Sequence, residues 1–407
     1  MASEHVELTI VLIFTIGFTL AGIFGYFAHR LKFSPLLGYL LAGYLIGPYS
    51  PGFVANIKIS EQLAEIGVIL MMFGVGLHFR IEDLLNVRKI AIPGAIGQTA
   101  VSTLLGTFLM YVTGWPIEAG VIIGLSVGVA STVILVRMLS ENHLLHTVKG
   151  HIAIGWLLVE DLITVVVLLF IPLMENFTHG QAPTYLELFF SFLKMTSKFV
   201  LLITFMFTIG QKIISYFIAS VVSIHSHELF TVTILAITFV VATGSSLIFG
   251  TSIALGSFIA GMIMGQTQVK NKISANALPL KNAFLVLFFL SMGMLFDIKT
   301  IYYHSALFLG LLAIILIVKP VTAYMIARLL NHSKETALVL AIALGQIGEF
   351  SFILVEEAPK LHLIPEAGYD IVVACAIISI AINPFLFKFL FNKKRYVRKK
   401  KEVSFIN

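Results

Sequence analysis

Gly155-Trp156-Leu157-Leu158-Val159-Glu160-Asp161-Leu162-Ile163-Thr164-Val165-Val166-Val167-Leu168-Leu169-Phe170 is an apolar run of membrane-crossing character, interrupted by two adjacent carboxylates. A charged side chain at the bilayer centre costs about 2.5–3.5 kcal/mol on insertion scales, so such residues face a bundle interior or a wet cavity and usually carry function. Two in succession make a site that can hold either a proton or a cation. Adjacent residues on a helix point about 100° apart, so Asp161 can face a cavity while Glu160 meets a neighbouring helix.

The rest of the composition agrees with a membrane setting. Hydrophobic residues make up 58% of the chain and charged ones 12%, against roughly 25% charged in a soluble domain, and the mean hydropathy is +0.98. This is the profile of an all-α polytopic membrane protein. The single cysteine, Cys375, lies in an apolar run, so neither an intrachain disulfide nor a thiolate metal cluster is on offer. Seven of the 27 Lys and Arg residues fall between Lys393 and Lys401. That cluster reads as a cytoplasmic anchor to membrane lipids rather than as nucleic-acid binding. The first apolar run, Leu8 to Ala28, follows acidic Glu4 and Glu7 and is too long for a secretory signal core, so it reads as a retained helix.

At about 20 apolar residues per crossing, helices are expected near 6–28, 34–48, 60–78, 90–113, 117–138, 150–174, 188–210, 228–244, 250–268, 279–297, 304–327, 336–357 and 368–391. That is thirteen. The uncharged stretch Leu229 to Val269 is split at Gly244-Ser245-Ser246, where small residues permit a turn. Loop charges test the count. Arg30/Lys32, Arg80/Arg88/Lys89, Arg137/Lys149, Lys212, Lys270/Lys272, Arg328/Lys334 and the basic tail 392–407 fall on one side, with only Lys58, Lys299 and Lys360 on the other. The positive-inside bias then places the N-terminus outside and the C-terminus in the cytoplasm of a cell (inner) membrane.

An internal repeat follows. The second helix carries Gly38-x3-Ala42-Gly43-x3-Gly47 and the ninth Gly256-x3-Ala260-Gly261-x3-Gly265, an offset of 218 residues; Gly76 and Gly293, in the helices after them, are offset by 217. Copies seven helices apart run in opposite directions, giving repeats of about 34–174 and 250–391 joined by helices within 188–244, all inside a transport domain of 1–391. Inverted repeats place a midplane binding site where the halves meet, typically at broken helices. The offset carries Ser131-Thr132 of the fifth helix onto Gly345-Gln346-Ile347-Gly348-Glu349 of the twelfth, and both stretches are candidates for interruption.

Asp161 is the expected ion and proton carrier, with Glu160 beside it. Lys319-Pro320 stands midway along the eleventh helix, where a buried lysine needs a counter-charge, and Glu160 is the economical one. Glu349 is expected to offset the positive ends of broken helices, or else to ligate the cation directly. Ser131 and Thr132 can offer hydroxyl and backbone oxygens to a hard cation, though small hydroxyl residues also serve close helix packing. His78, His143, His146, His151, His225 and His227 lie in or near cytoplasmic loops with no zinc-type spacing. No cofactor is expected beyond the transported cation and proton.

With these residues in view, the chain resembles the monovalent cation:proton antiporter-2 family, and within it the Kef-type potassium/proton antiporters. The matching stretches are Pro35-Leu36-Leu37-Gly38-Tyr39-Leu40-Leu41-Ala42-Gly43, Ala64-Glu65-Ile66-Gly67-Val68-Ile69-Leu70-Met71-Met72-Phe73, Ile253-Ala254-Leu255-Gly256-Ser257-Phe258-Ile259-Ala260-Gly261, Phe288-Phe289-Leu290-Ser291-Met292-Gly293-Met294 and Gly345-Gln346-Ile347-Gly348-Glu349-Phe350. The resemblance implies a Na+/H+ antiporter-like fold with two crossed, discontinuous helices, and a homodimer whose core moves like an elevator. It also implies that Asp161 is the ion-binding aspartate and Lys319 a basic position associated with Glu160. An acidic residue at position 160 looks like the electrogenic branch. Many Kef-like relatives continue into a cytosolic nucleotide-binding domain, so the expectation is either a short form or a transport-domain fragment whose regulatory domain or subunit lies outside these 407 residues.

The resulting expectation is a secondary active transporter, not an enzyme, exchanging K+ or Na+ for H+ as the two compete for Asp161. The alternatives are a ligand-gated K+ efflux channel-like protein and a non-transporting membrane sensor with the same fold. The absence of a filter-like loop speaks against the first, and the intact mid-membrane charges against the second.

Overall fold

The structure, a computed structural model, describes residues 2–31, 33–50, 56–79, 81–145, 147–174, 185–360 and 363–403. The described residues are all-helical: α1 Ala2–Arg30, α2 Pro35–Ile46, α3 Ile57–His78, α4 Ile81–Val112, α5 Ile117–Gly128, α6 Thr132–Glu141, α7 Val148–Met174, α8 Tyr185–Phe205, α9 Gln211–Ser223, α10 His227–Phe249, α11 Ile253–Gly265, α12 Lys270–Leu295, α13 Lys299–Tyr303, α14 Ser305–Ala313, α15 Lys319–Leu329, α16 Lys334–Ala343, α17 Glu349–Lys360 and α18 Glu366–Val403. Among them nine helical stretches are long and apolar enough to cross a membrane, while α2, α5 and α11 are apolar but shorter. Large apolar side chains stay uncovered on many of these helices, Leu104 at 70% and Leu247 at 86% exposure. A surface of that kind suits lipid, not water, and the protein is a multi-pass membrane protein.

Two of the spans contain a widened turn. Ile314–Val318 is π-helical and joins α14 to α15. Pro320 comes two residues after it; it has no N–H for the carbonyl four residues back and its ring crowds that turn, which the wider winding relieves. Met206–Gly210 does the same between α8 and α9, so the helix runs on to Ser223 and Lys212 lies inside it rather than in the expected loop.

A second boundary also moves. The helix expected to end at Gly244 continues to Phe249, and the chain turns at Gly250, whose φ of +71° is the left-handed conformation that glycine adopts without strain. Ser252 then caps α11 by accepting from the Leu255 N–H. Small residues at 244–246 permit a turn; the left-handed glycine and the serine cap make one.

The chain divides into two compact units. One comprises Met1–Phe27, Gly38–Arg80 and Val165–Phe296, the other Ala28–Leu37, Ile81–Thr164 and Asp297–Asn407. In the first, α2 lies against α12 and α11 against α3 so closely that a Cβ on Gly43 would strike the Leu290 carbonyl, and one on Gly261 the Phe73 carbonyl. The reciprocal contacts involve Gly293 with the Leu40 carbonyl and Gly76 with the Phe258 carbonyl. Each contact is matched by another between residues 217 or 218 positions away, so the two glycine patterns are packing surfaces used in the same way. Ile13, Ala21, Ala42, Ile46, Leu287, Leu290 and Met294 complete the apolar core around them.

Candidate functional site

The second unit contains two interruptions, and they lie against each other. α5 stops at Gly128 and α6 starts at Thr132, with Val129 and Ser131 extended between them. α16 stops at Ala343 and α17 starts at Glu349. A helix end leaves backbone groups without intrahelical partners, and inside a membrane no water relieves them. Here each break serves the other. The Gly348 N–H donates to the Val129 carbonyl at 3.2 Å. The Gln346 side chain accepts from the Ser131 N–H at 3.2 Å and donates to the Ser131 carbonyl at 3.1 Å. Ser131 Oγ caps α6 by accepting from the Ile134 N–H, and Ser379 Oγ on α18 accepts from the Ile347 N–H.

The charges sit at the two kinds of helix end. Glu160, wholly buried on α7, accepts from the Ala130 N–H at 2.9 Å, from Gln98 Nε2 at 2.6 Å and from Trp156 Nε1 at 3.1 Å. The Ala130 N–H belongs to the first break, at the electropositive N-terminal side of α6. Lys319, also wholly buried, donates from Nζ to the Gln346 carbonyl at 3.0 Å, in the break that follows the electronegative C-terminal end of α16. The lysine therefore bonds the second break rather than Glu160, on whose charge it acts through space. Carboxylate and ammonium each answer a backbone group that the interruption exposes.

Asp161 is 4% exposed and has a partner of its own, its Oδ2 accepting from Thr132 Oγ1 at 3.3 Å. The neighbouring carboxylates thus take different surroundings, as their 100° separation on a helix requires. Ser131, Thr132, Glu160, Asp161 and Lys319 are all brought to the breaks. Glu349 opens α17, but its side chain lies outside the described residues, as do those of Lys393 to Lys401 on the helical backbone of α18 and the whole of His146.

Gln98, Trp156 and Gln346 hold the site, and the partners of Gln98 and Gln346 do not follow from sequence spacing. Gln98 and Glu160 are 62 residues apart and Ser131 and Gln346 are 215 apart. The signal for Gln98 was the polar run Gln98-Thr99 and Ser102 within an apolar helix; for Trp156 it was the one-turn spacing to Glu160. Gly94 makes room for Trp156, whose indole fills the place a Cβ would take. His78 Nδ1 is bonded to the Gly74 carbonyl, within the first unit. Among the described residues no three His, Cys, Asp or Glu side chains gather as a metal-ligand set.

The wider comparison agrees with this geometry. The chain is 45% identical over 378 residues to the Escherichia coli (strain K12) protein named cation/proton antiporter YbaL, covering 92% of this chain and 67% of that one. It is 28% identical to the Arabidopsis thaliana protein named K(+) efflux antiporter 4, covering 87% of this chain and 59% of the relative. The fold is that of the sodium proton antiporter MjNhaP1 from Methanocaldococcus jannaschii, at a TM-score of 0.67 and 15% identity over 94% of this chain and 98% of that one. A family model for the transmembrane part of sodium/hydrogen exchangers matches residues 15–393. A helical membrane chain with two abutting helix breaks, a buried carboxylate pair and these relatives belongs to the sodium/hydrogen exchanger family, in its cation:proton antiporter-2 branch.

Proposed function

We propose that this chain is a secondary active transporter that exchanges a monovalent cation, K+ or Na+, for protons, the two competing for Asp161. The observation that carries the reading is the position of Asp161, buried beside the first helix break with Thr132 Oγ1 on its carboxylate. A dehydrated monovalent cation needs several oxygen ligands. Asp161 and Thr132 Oγ1 supply two once the hydroxyl turns its lone pairs to the ion, and the extended backbone at Ser131 can add carbonyl oxygen. A proton on Asp161 removes the negative charge and releases the ion, which is competition at one atom. The relatives named antiporters support this reading.

Glu160 and Lys319 answer the backbone groups of the two breaks and help hold them in place. Glu349 is assigned a compensating role at the N-terminus of α17. Elevator-type alternating access requires the site to travel as one body, and Ser131, Thr132, Glu160, Asp161, Lys319 and Gln346 all belong to the second compact unit. We assign the repeats to about 34–174 and 250–391, the N-terminus to the outside and the basic C-terminal segment to the cytoplasmic face, on the Lys/Arg bias of the loops. A homodimer is the expected assembly.

The test is proton movement in proteoliposomes under imposed K+ or Na+ gradients, with membrane potential followed in parallel. Proton flux driven by one cation names the ion, and the potential reports whether net charge moves. Cation leak without proton movement would replace the exchanger by a channel. Silence under both gradients would replace it by a sensor.

A further inference from the structure

Helix α4 carries three buried oxygens that the site described above does not use. Gln98 and Ser102 are wholly buried and Thr99 is 4% exposed. Gln98 Oε1, Thr99 Oγ1 and Ser102 Oγ meet no hydrogen-bond partner among the described residues. Residues three and four apart share a helix face, so Ser102 groups with both of the others. That face abuts the end of α5: a Cβ on Gly128 would lie within 3.5 Å of Thr99 and Ser102 atoms. The cluster therefore sits one residue from the first break and is tied to Glu160 through Gln98 Nε2.

Lys319 brings the complementary shortage. Its ammonium has three donors, and the Gln346 carbonyl is the acceptor found for them among the described residues. α4 runs antiparallel to α14 and α15: Gly310 packs on Leu109 and Ile326 on Gly97. Interpolating between these contacts places Lys319 at about the level of Ser102 along α4. Unused donors and unused acceptors thus stand at about the same depth without bonding directly. Buried polar groups in that situation are satisfied by internal water.

We propose that Gln98, Thr99 and Ser102 line an internal water site through which Lys319 and Glu160 exchange a proton. An Nζ–H bond of Lys319 breaks as an O–H bond forms on the water, and another O–H bond of that water breaks as one forms on Glu160. The ammonium becomes an amine, the carboxylate a carboxylic acid, and the water is regenerated. The pair is neutral overall before and after, so the step moves a proton within the site without placing net charge in the membrane. The relay rests on the exchange reading above; the water site does not.

Two measurements separate them. An experimental density map of the intact protein is expected to show ordered water within hydrogen-bond distance of Ser102 Oγ and Lys319 Nζ; a dry contact there overturns the site whatever the protein transports. In proteoliposomes, Ser102→Ala and the double variant Thr99→Val with Ser102→Ala are expected to slow proton-coupled exchange by at least about tenfold, with unchanged cation affinity and recovery in Ser102→Thr. If instead the variants melt at a higher temperature and exchange at the parent rate, the oxygens were dry and idle and the proposal is wrong. Water present with undiminished exchange overturns the relay, and a parent protein without exchange removes the relay together with the transport reading while the map still decides the site.

Discussion

Two sets of helix contacts in this protein are built from stretches at the same sequence offset, and they use it in opposite ways. In the first unit Gly43 meets Leu290 as Gly261 meets Phe73, and Gly76 meets Phe258 as Gly293 meets Leu40. Only backbone and apolar atoms are involved, and both sides do the same thing. In the second unit the breaks at 129–131 and 344–348 also abut, but Gln346 reaches Ser131 through its side chain. Val129, at the equivalent offset, has no polar side chain with which to reciprocate. The charges diverge as well: Lys319 corresponds to Ser102, and Asp161 to Ile378. Packing is alike at the two ends of the offset, and the polar chemistry is not.

The comparison fails most visibly if the polar side of it is not what holds the breaks. Lys319→Met leaves the Gln346 carbonyl unanswered and Glu160 buried without its counter-charge. Removing one partner of a buried charge pair costs about 3–5 kcal/mol, so a large fall in melting temperature is expected by scanning fluorimetry in detergent. An unchanged melting temperature would show that the ammonium is not a support of the second break. On the symmetric side, Gly43→Ala and Gly261→Ala each push a methyl into a backbone carbonyl, an overpacking worth about 1–3 kcal/mol. The two losses are expected to match; a loss at only one of them would end the equivalence. Smallest is Ser131→Ala, which removes the cap of α6 at about 0.5–2 kcal/mol. It should lower the melting temperature slightly, and exchange should survive in a folded protein.

Much of this arrangement can be read from single residues. Glu160-Asp161 in an apolar run, Lys319 beside a helical proline and the two glycine patterns all violate what a lipid-facing helix allows, so each announces itself. The breaks were legible as small and polar residues at matching offsets. What stays hidden depends on conformation or distance. Gly244 and Gly250 look alike in sequence, but only Gly250 is left-handed, at a φ of +71°. Lys212 reads as a loop residue because a charge follows an apolar run, yet the π-helical turn before it keeps the helix going. Gln98 and Gln346 bond partners 62 and 215 residues away, and no local pattern encodes such pairing.

The central claim is that exchange takes place at Asp161, in the unit where the symmetry is broken. The most direct test is the exchange rate per folded molecule in proteoliposomes for the intact protein and for Asp161→Asn. The substitution keeps the side chain's shape and an oxygen for Thr132 while removing the group that titrates. The account predicts a folded variant with a near-parent melting temperature and no cation-driven proton movement. Undiminished exchange by Asp161→Asn would contradict it and send the search for the carrier elsewhere among the buried charges.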